Sequence, residues 1–359
     1  MSNLILAINP GSTSTKFAVY EDEKQLFSKS LDHKVEDLEK FDSILNQYDM
    51  RKTEILKALE ENNIDIKDLN ATVGRVGGLP PVKSGAYLIT DDMIDRLKYR
   101  PTLDHASNLG AIIAYSIAKE VGINAYIYDA ISVDELKDIA RPSGLCGMDR
   151  QSLFHALNSR AMAMKYAKSI GKTYQELNLV VAHLGGGISI TAHEKGRVVD
   201  LLSDEEGLFS PQRAGKLPAK HLIDLCFSGK YTHQEVLKMH TGRGGLVSYL
   251  NTVDAREVEK MIAHGNEYAK LIYDAMILQI AKGIGDVATS LKGDVDAIII
   301  TGGIAYSSYI VEEITNYVKF IANVAPFPGE NELESLAYGA LRVLEGEEEA
   351  TVYKEADFE

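Results

Sequence analysis

Two stretches of the chain repeat one pattern of apolar and polar positions. Residues 5–11 (ILAINPG) and 179–185 (LVVAHLG), offset by 174, are short runs rich in Ile, Val and Leu that close on a polar residue and a glycine. That is the pattern of a buried strand entering a turn. A second strand is predicted after each turn, at Lys16–Tyr20 and Ser189–His193, then a charged turn (Glu23-Lys24; Glu194-Lys195) and a third strand-like run. The unit strand, Gly/Ser loop, strand, turn, strand therefore occurs twice, and a repeat constrains the fold more than any single residue does.

Each copy is followed by alternating strands and helices. In the first half the pattern predicts strands at Ala71–Val76 and Ala125–Tyr128 with a helix at Ala106–Val121 between them. In the second half Ile272, Met276, Ile280, Ile284, Val287 and Leu291 recur at three or four, predicting a long amphipathic helix over Glu267–Leu291. It leads into Ala297–Thr301, whose unbroken apolar run suits a strand covered on both faces. A last helix is predicted at Glu332–Leu344. Alternating β and α after a starting meander implies an α/β protein of two domains with a cleft between them. Pro and Gly place a linker at Arg141–Gly147 and a second crossing at Pro326–Gly329. The expected domains are thus residues 1–147, residues 148–330, and a C-terminal helix and acidic tail, 331–359, with the helix completing the first domain. The tail from Glu345, with seven acidic residues and one lysine, reads as a solvated helix end.

Charge narrows the function classes. Across 359 residues, 38 Lys and Arg face 52 Asp and Glu, a net charge of −14, which repels phosphate backbones and argues against nucleic acid or an anionic membrane as partner. The longest apolar stretches, such as Leu109–Tyr115, fall far short of the roughly 18 residues of a membrane span. The N-terminus enters a strand pattern without a basic export signal, so a cytoplasmic protein is expected. Two cysteines, Cys146 and Cys226, fit a reducing compartment and read as packing residues. An anionic substrate would have to be held by few, well-placed cations.

Three glycine loops offer that chemistry: Asn9-Pro-Gly-Ser-Thr-Ser-Thr-Lys16, His183-Leu-Gly-Gly-Gly187 and Thr301-Gly-Gly-Ile304. Each follows a strand, and backbone N–H groups in such loops can cradle phosphate oxygens. Ligands of open α/β sheets bind at the carboxyl ends of strands, so the three loops together suggest a nucleotide spanning two domains. Two Walker-like stretches fail in context: Gly77–Ser84 has Val82 where glycine is needed, and Ile170–Thr173 follows a helix. No G-x-G-x-x-G follows a strand, which disfavours a dinucleotide dehydrogenase.

Asn9–Lys16, Gly74-Arg75-Val76, Phe154-His155, His183–Gly187 and Asn331-Glu332-Leu333 resemble, in that order, the motifs of the acetate and butyrate kinases. The resemblance covers nearly the whole chain. It implies two duplicated actin-like (ribonuclease H-like) domains with an interdomain nucleotide cleft, in the superfold shared with sugar kinases and Hsp70 ATPases. Gly186, where acetate kinases carry Asn, and the run Phe209–Pro218 resemble the butyrate branch. The implied reaction is butanoate + ATP giving butanoyl phosphate + ADP by in-line transfer, with Mg²⁺ as cofactor and a homodimer or higher homo-oligomer as the assembly. Isobutyrate, propionate or acetate are alternative acids; a sugar kinase or a non-catalytic ATP-gated module is an alternative of another class.

The resemblance also implies roles. Arg75 and Arg213 would hold the carboxylate and the transferring phosphoryl, and His155 would stabilise that phosphoryl. His183 would contact phosphates with Gly185, Gly186 and Gly187. Asp129 and Glu332 would hold Mg²⁺, with Glu330 and Glu334 as neighbouring alternatives to Glu332. His105, Phe154 and Gly77 would lie on the substrate side, Gly77 standing where acetate kinases have valine and so enlarging the acyl pocket, although His105 could equally cap the Ala106–Val121 helix. Asn9, Ser12, Ser14 and Lys16 would position phosphates. Asp254, Arg256, Gly302 and Gly303 would grip the adenosine part of ATP.

Overall fold

The first apolar run forms strand β1 (Leu4–Pro10), with Ile5 to Ile8 fully buried. The structure, a computed structural model, describes residues 2–203 and 206–357. β1 pairs antiparallel with β2 (Ser14–Glu21), and β2 with β3 (Lys24–Asp32). Helices α1 (Val35–Leu38) and α2 (Tyr48–Glu61) follow. β4 (Ala71–Gly74) then returns parallel to β1. After β5 (Ala86–Leu88), α3 (Asp91–Tyr99) and α4 (Asn108–Val121), β6 (Asn124–Tyr128) lies parallel to β4. α4 is apolar on most sides and packs on β1, β4 and β6. It approaches so closely that a Cβ at Gly74 would stand 2.2 Å from the Gly110 carbonyl oxygen, so glycine is obligatory there.

The second unit repeats this arrangement. After α5 (Ala156–Ser169), β7 (Asn178–Leu184), β8 (Ile188–Glu194) and β9 (Arg197–Leu202) form the meander. Next come α6 (Ala219–Cys226), α7 (His233–Thr241), α8 (Leu246–Leu250), α9 (Ala255–Ala263) and the long α10 (Glu267–Ser290). β10 (Ala297–Gly302) runs parallel to β7, and beyond α11 (Ser308–Val318) β11 (Val324–Pro328) runs parallel to β10. The sheet order β11-β10-β7-β8-β9 reproduces β6-β4-β1-β2-β3 of the first unit. Even the bulge recurs: register shifts at Val19/Tyr20 between β2 and β3, and at Ala192/His193 between β8 and β9. Since Ile5 pairs with Tyr20 and Leu179 with His193, these are equivalent places. The core of the second unit gathers around Tyr273, Met276, Ile280 and Ile284 of α10, which packs against β7, β8 and β9.

The chain then returns to the first unit with α12 (Glu332–Leu344), which packs on β1, and β12 (Thr351–Val352), which pairs parallel with β5. The two units comprise residues 1–134 with 331–359, and 135–330.

Several expectations change. The first boundary falls at 134/135 rather than after Gly147, and the Pro- and Gly-rich Arg141–Gly147 is an irregular segment inside the second unit. Pro326 and Pro328 belong to a strand, tolerated because β11 is an edge strand. Cys146 and Cys226 are exposed, not packing residues. The acidic tail is no solvated end: Glu348 accepts hydrogen bonds from the Ala86 N–H (3.0 Å) and the Tyr128 hydroxyl (2.9 Å), and Tyr353 is buried. Among the described residues no helix is long and apolar enough to cross a membrane.

Candidate active site

In the first unit the β1–β2 turn carries the first glycine loop. Its carbonyls are all engaged from within the protein. Arg51 of α2 donates to the carbonyls of Gly11 (3.0 Å), Ser12 (3.2 Å) and Ser14 (2.8 Å), and the His33 N–H donates to that of Thr13 (2.8 Å). Among the described residues the N–H groups of Ser12 and Thr13 find no protein acceptor and lie at the surface. Asn9 and Lys16 face one another across β1 and β2, with Lys16 exposed.

Asn9 Nδ2 donates to Glu332 Oε2 at 2.5 Å, and Arg75 Nη1 lies 3.2 Å from Glu332 Oε1. Three expected site residues from distant parts of the sequence thus meet, because α12 lays its first turn against β1. Arg75 is nearly buried, yet its Nη1 has no hydrogen bond of acceptable geometry. The other two glutamates go elsewhere: Glu330 Oε1 lies near Gly185 in the second unit, and Glu334 sits close enough to Tyr20 and Tyr338 to raise the pKa of both, behind burial as the main cause.

Asp129 ends β6 in the left-handed region (φ 43°), an uncommon conformation outside glycine. It is buried and accepts the Gly85 N–H at 2.8 Å. His105 accepts the Ser107 N–H at Nδ1 (3.2 Å), which leaves Nε2 to carry the proton. Burial first, then Arg75, holds its pKa below the ordinary value against Asp104, so the ring is neutral. Gly77 differs from expectation. A Cβ there would meet Ser107 Oγ at 2.9 Å and Ile131 Cδ1 at 3.0 Å, so the missing side chain makes room for protein packing, not for an acyl chain. The Gly77 and Gly78 amides are taken by Asn108 Oδ1 (3.2 and 2.7 Å).

In the second unit His155, at the N-terminus of α5, stacks on His183 with ring centroids 3.9 Å apart and planes 14° apart. Phe154 beside it is buried. His183 Nδ1 lies 2.8 Å from Asn158 Oδ1, an acceptor, so Nδ1 holds the proton and Nε2 has the lone pair. His155 Nδ1 is 2.8 Å from Ser189 Oγ. The Gly185–Gly187 loop is held from the loop that carries Arg213: the Gly186 carbonyl accepts from Ser210 Oγ (2.6 Å) and the Gln212 N–H (3.1 Å). A Cβ on Gly186 would press on the Gln212 side chain at 3.3 Å. Arg213 Nη1 donates to the Thr241 carbonyl at 2.7 Å. Gly302 (φ 90°) lets the end of β10 pass the Leu184 carbonyl, 2.3 Å from where a Cβ would be, whereas space is open around Gly303. Asp254 caps α9 and grips Arg256 (2.6 and 2.9 Å), which pulls its carboxyl down to about 2.

Residues 147–326 match the acetokinase family. The chain is 51% identical to butyrate kinase 1 of Clostridium acetobutylicum over 352 residues, covering 98% of this chain and 99% of that one. Butyrate kinase 2 of the same organism is 49% identical over 98% and 99%. The chain belongs to the acetokinase family. Acetokinases transfer phosphoryl between a nucleotide and a short-chain carboxylate, and this one is a carboxyl-group phosphotransferase. Its fold is that of solved acetokinases: the Porphyromonas gingivalis acetate kinase superposes with a TM-score of 0.80, covering 95% of this chain and 100% of that one, at 18% identity.

Several residues that build this acetokinase's loops went unread in the sequence: Arg51, Asn108, Asn158, Ser189, Ser210, Gln212 and Gly245. Gly245 has φ 73° and its added Cβ would collide with the Ser210 carbonyl oxygen at 1.7 Å, so only glycine closes the Arg213 loop. One signal was present for Arg51: it stands four residues before Ile55 and seven before Ala58, on the buried stripe of α2.

Proposed function

We propose that this acetokinase phosphorylates butanoate, giving butanoyl phosphate and ADP. The choice of acid rests on relatives of about half identity that bear the name butyrate kinase. The observation that carries the chemistry is Arg75, a nearly buried guanidinium whose Nη1 is ion-paired to Glu332 Oε1 at 3.2 Å but makes no hydrogen bond of acceptable geometry. Buried polar groups are normally satisfied, and a carboxylate is the partner a guanidinium fork fits. A carboxylate acceptor is already ionised, so the site needs cations and N–H donors rather than a general base. Neutral His105, donating from Nε2, meets that need.

In this reading the first unit supplies the carboxylate side and the second the nucleotide side. Ser12, Ser14 and Lys16 donate to phosphate oxygens, as do the amides of Gly185 to Gly187. Arg213 and His155 stabilise the charge on the transferring phosphoryl, where positioned donors are worth most. The proton on His183 Nδ1, fixed by Asn158, keeps Nε2 as acceptor. Asp254, Arg256, Gly302 and Gly303 would lie against the adenosine. Among the described residues no three carboxylate, His or Cys groups cluster for a metal. Mg²⁺, a hard ion bound through one or two carboxylates plus water and substrate phosphates, would be held by Asp129 and Glu332. When bound, Mg²⁺ neutralises phosphate charge.

A homo-oligomer, at least a dimer, fits α6 and α7, which bury no residue and expose Ile223 and Leu237, with exposed Phe227 just past the end of α6; gel filtration with light scattering tests it. The enzyme would work in the cytoplasm, with its nucleotide. The reaction is tested by trapping acyl phosphate with hydroxylamine across acetate, propionate, butanoate, isobutyrate and glucose. Butanoate should give the highest kcat/KM. ATP consumption with glucose, and no hydroxamate from any acid, would overturn the reading.

A further inference from the structure

We propose that Arg51 is a positioning residue for the polyphosphate of the nucleotide, shaping and charging the Gly11–Ser14 loop from its protein side. Arg51 is fully buried, and every acceptor it meets is neutral: the carbonyls of Gly11, Ser12 and Ser14, Thr15 Oγ1 at 2.9 Å, and Gln47 Oε1 at 2.9 and 3.2 Å. Among the described residues no carboxylate forms an ion pair with it. A buried guanidinium usually has a counter-charge, because a desolvated lone cation is costly. Burial indeed opposes its charge, relieved only by Glu54 at longer range.

Geometry explains what the charge does. A peptide unit directs its C=O and N–H oppositely. Drawing the carbonyls of residues 11, 12 and 14 onto one guanidinium polarises the loop so that the amides of Ser12 and Thr13 present their positive ends at the surface. The arrangement is an anion nest with a fixed cation behind it. The missing counter-charge is then the bound anion itself. In a chain of net charge −14, a cation that no carboxylate neutralises is a considerable share of the local attraction for phosphate.

The inference rests on the reading that this loop binds nucleotide phosphates, and the experiment separates the two. Dissociation constants of ATP, ADP and adenosine are measured on the full chain for wild type, Ser12→Ala with Lys16→Ala, Arg51→Gln and Arg51→Lys, together with KM, kcat and Tm. Arg51→Gln should weaken ATP by about 10–100-fold, the weight of charge-assisted hydrogen bonds, leave adenosine unchanged, and raise KM for ATP but not for the acid. Arg51→Lys, which keeps the charge but not the fork, should recover part of the loss. It also serves as the test should Arg51→Gln fail to fold. If the Arg51 variants lose ATP and adenosine equally, or lose only Tm, Arg51 is a structural strut and the inference fails. If wild type binds ATP no better than adenosine, or the Ser12 and Lys16 changes leave ATP affinity intact, the phosphate reading of the loop fails instead.

Discussion

The loop after β1 and the loop after β7 occupy the same position in two copies of one hairpin, and they are held by opposite means. In the first unit the carbonyls of residues 11, 12 and 14 converge on a buried guanidinium, and hydroxyls with Lys16 line the outside. In the second the Gly186 carbonyl is held by Ser210 and Gln212, from the segment that brings in Arg213, and two stacked imidazoles stand alongside. The duplication preserved the strands, their order and the bulge. What diverged is the set of side chains that hold the turn, and with it the chemistry each turn can offer. One copy is a cradle with its cation behind it, and the other is a cradle wired to the segment that carries the Arg213 side chain.

The sharpest way to break this comparison is to remove that side chain. Arg213→Ala should lower kcat by about 10³-fold or more, as expected for an arginine stabilising a transferring phosphoryl, with circular dichroism unchanged; near-normal turnover would take Arg213 out of the role. Next in size is the backbone that aims it. Gly245→Ala puts a Cβ on the Ser210 carbonyl at positive φ and should cost about 3 kcal/mol or more in strain and displacement, read as a lower denaturation midpoint with lost activity. Gly285→Ala, in α10 where space is open, is the control and should be near neutral. If both alanines behaved alike, the packing of the Arg213 loop would not be what holds it.

Much of this was legible in the sequence, for local reasons. Apolar runs closing on glycine mark the strands before the turns, and the period of α10 is set by its own side chains; both features survive inspection of one segment at a time. What escaped needed distant partners. The two-residue strand β12 exists only because Tyr87 and Leu88 offer an open edge 264 residues earlier, and the acidic Glu348 reads as solvated until Ala86 and Tyr128 donate to it. Gly77 invited a pocket because a sequence shows a missing side chain but not what fills the space. Arg51 reads as the polar face of a helix unless its register with Ile55 is noticed.

Smaller effects sharpen the contrast further. Asn158 fixes the proton of His183 and also accepts from Thr301 Oγ1 at 3.1 Å. Asn158→Leu frees the ring to take the other tautomer and should reduce kcat by about 10–100-fold, the usual weight of a partner that orients a functional histidine. Nitrogen chemical shifts of His183 check the cause: an unchanged tautomer with reduced kcat would mean Asn158 acts by packing.

The smallest effect contrasts the bulges, where Tyr20 and His193 are equivalents. Burial, then Glu334, pushes Tyr20 up to about 12, so it is silent at ordinary pH. His193 is fully buried between Tyr174 (2.6 Å to Nδ1) and Thr191 (2.7 Å to Nε2), and burial, then Arg160, pushes it down to about 3. Unfolded, it takes a proton below about 6.5; folded, it refuses one until about 3. Between those values the unfolded chain binds more protons, so stability falls as pH drops from about 6.5 toward 3, by up to about 1.4 kcal/mol per pH unit. Above 6.5 the residue contributes no slope. His193→Gln keeps hydrogen-bonding capacity and removes the titration, so its urea midpoint should fall less steeply than that of wild type between pH 6.5 and 4. Parallel acid slopes would show that this histidine is not the source, and that the two bulges differ in side chain without differing in their response to acid.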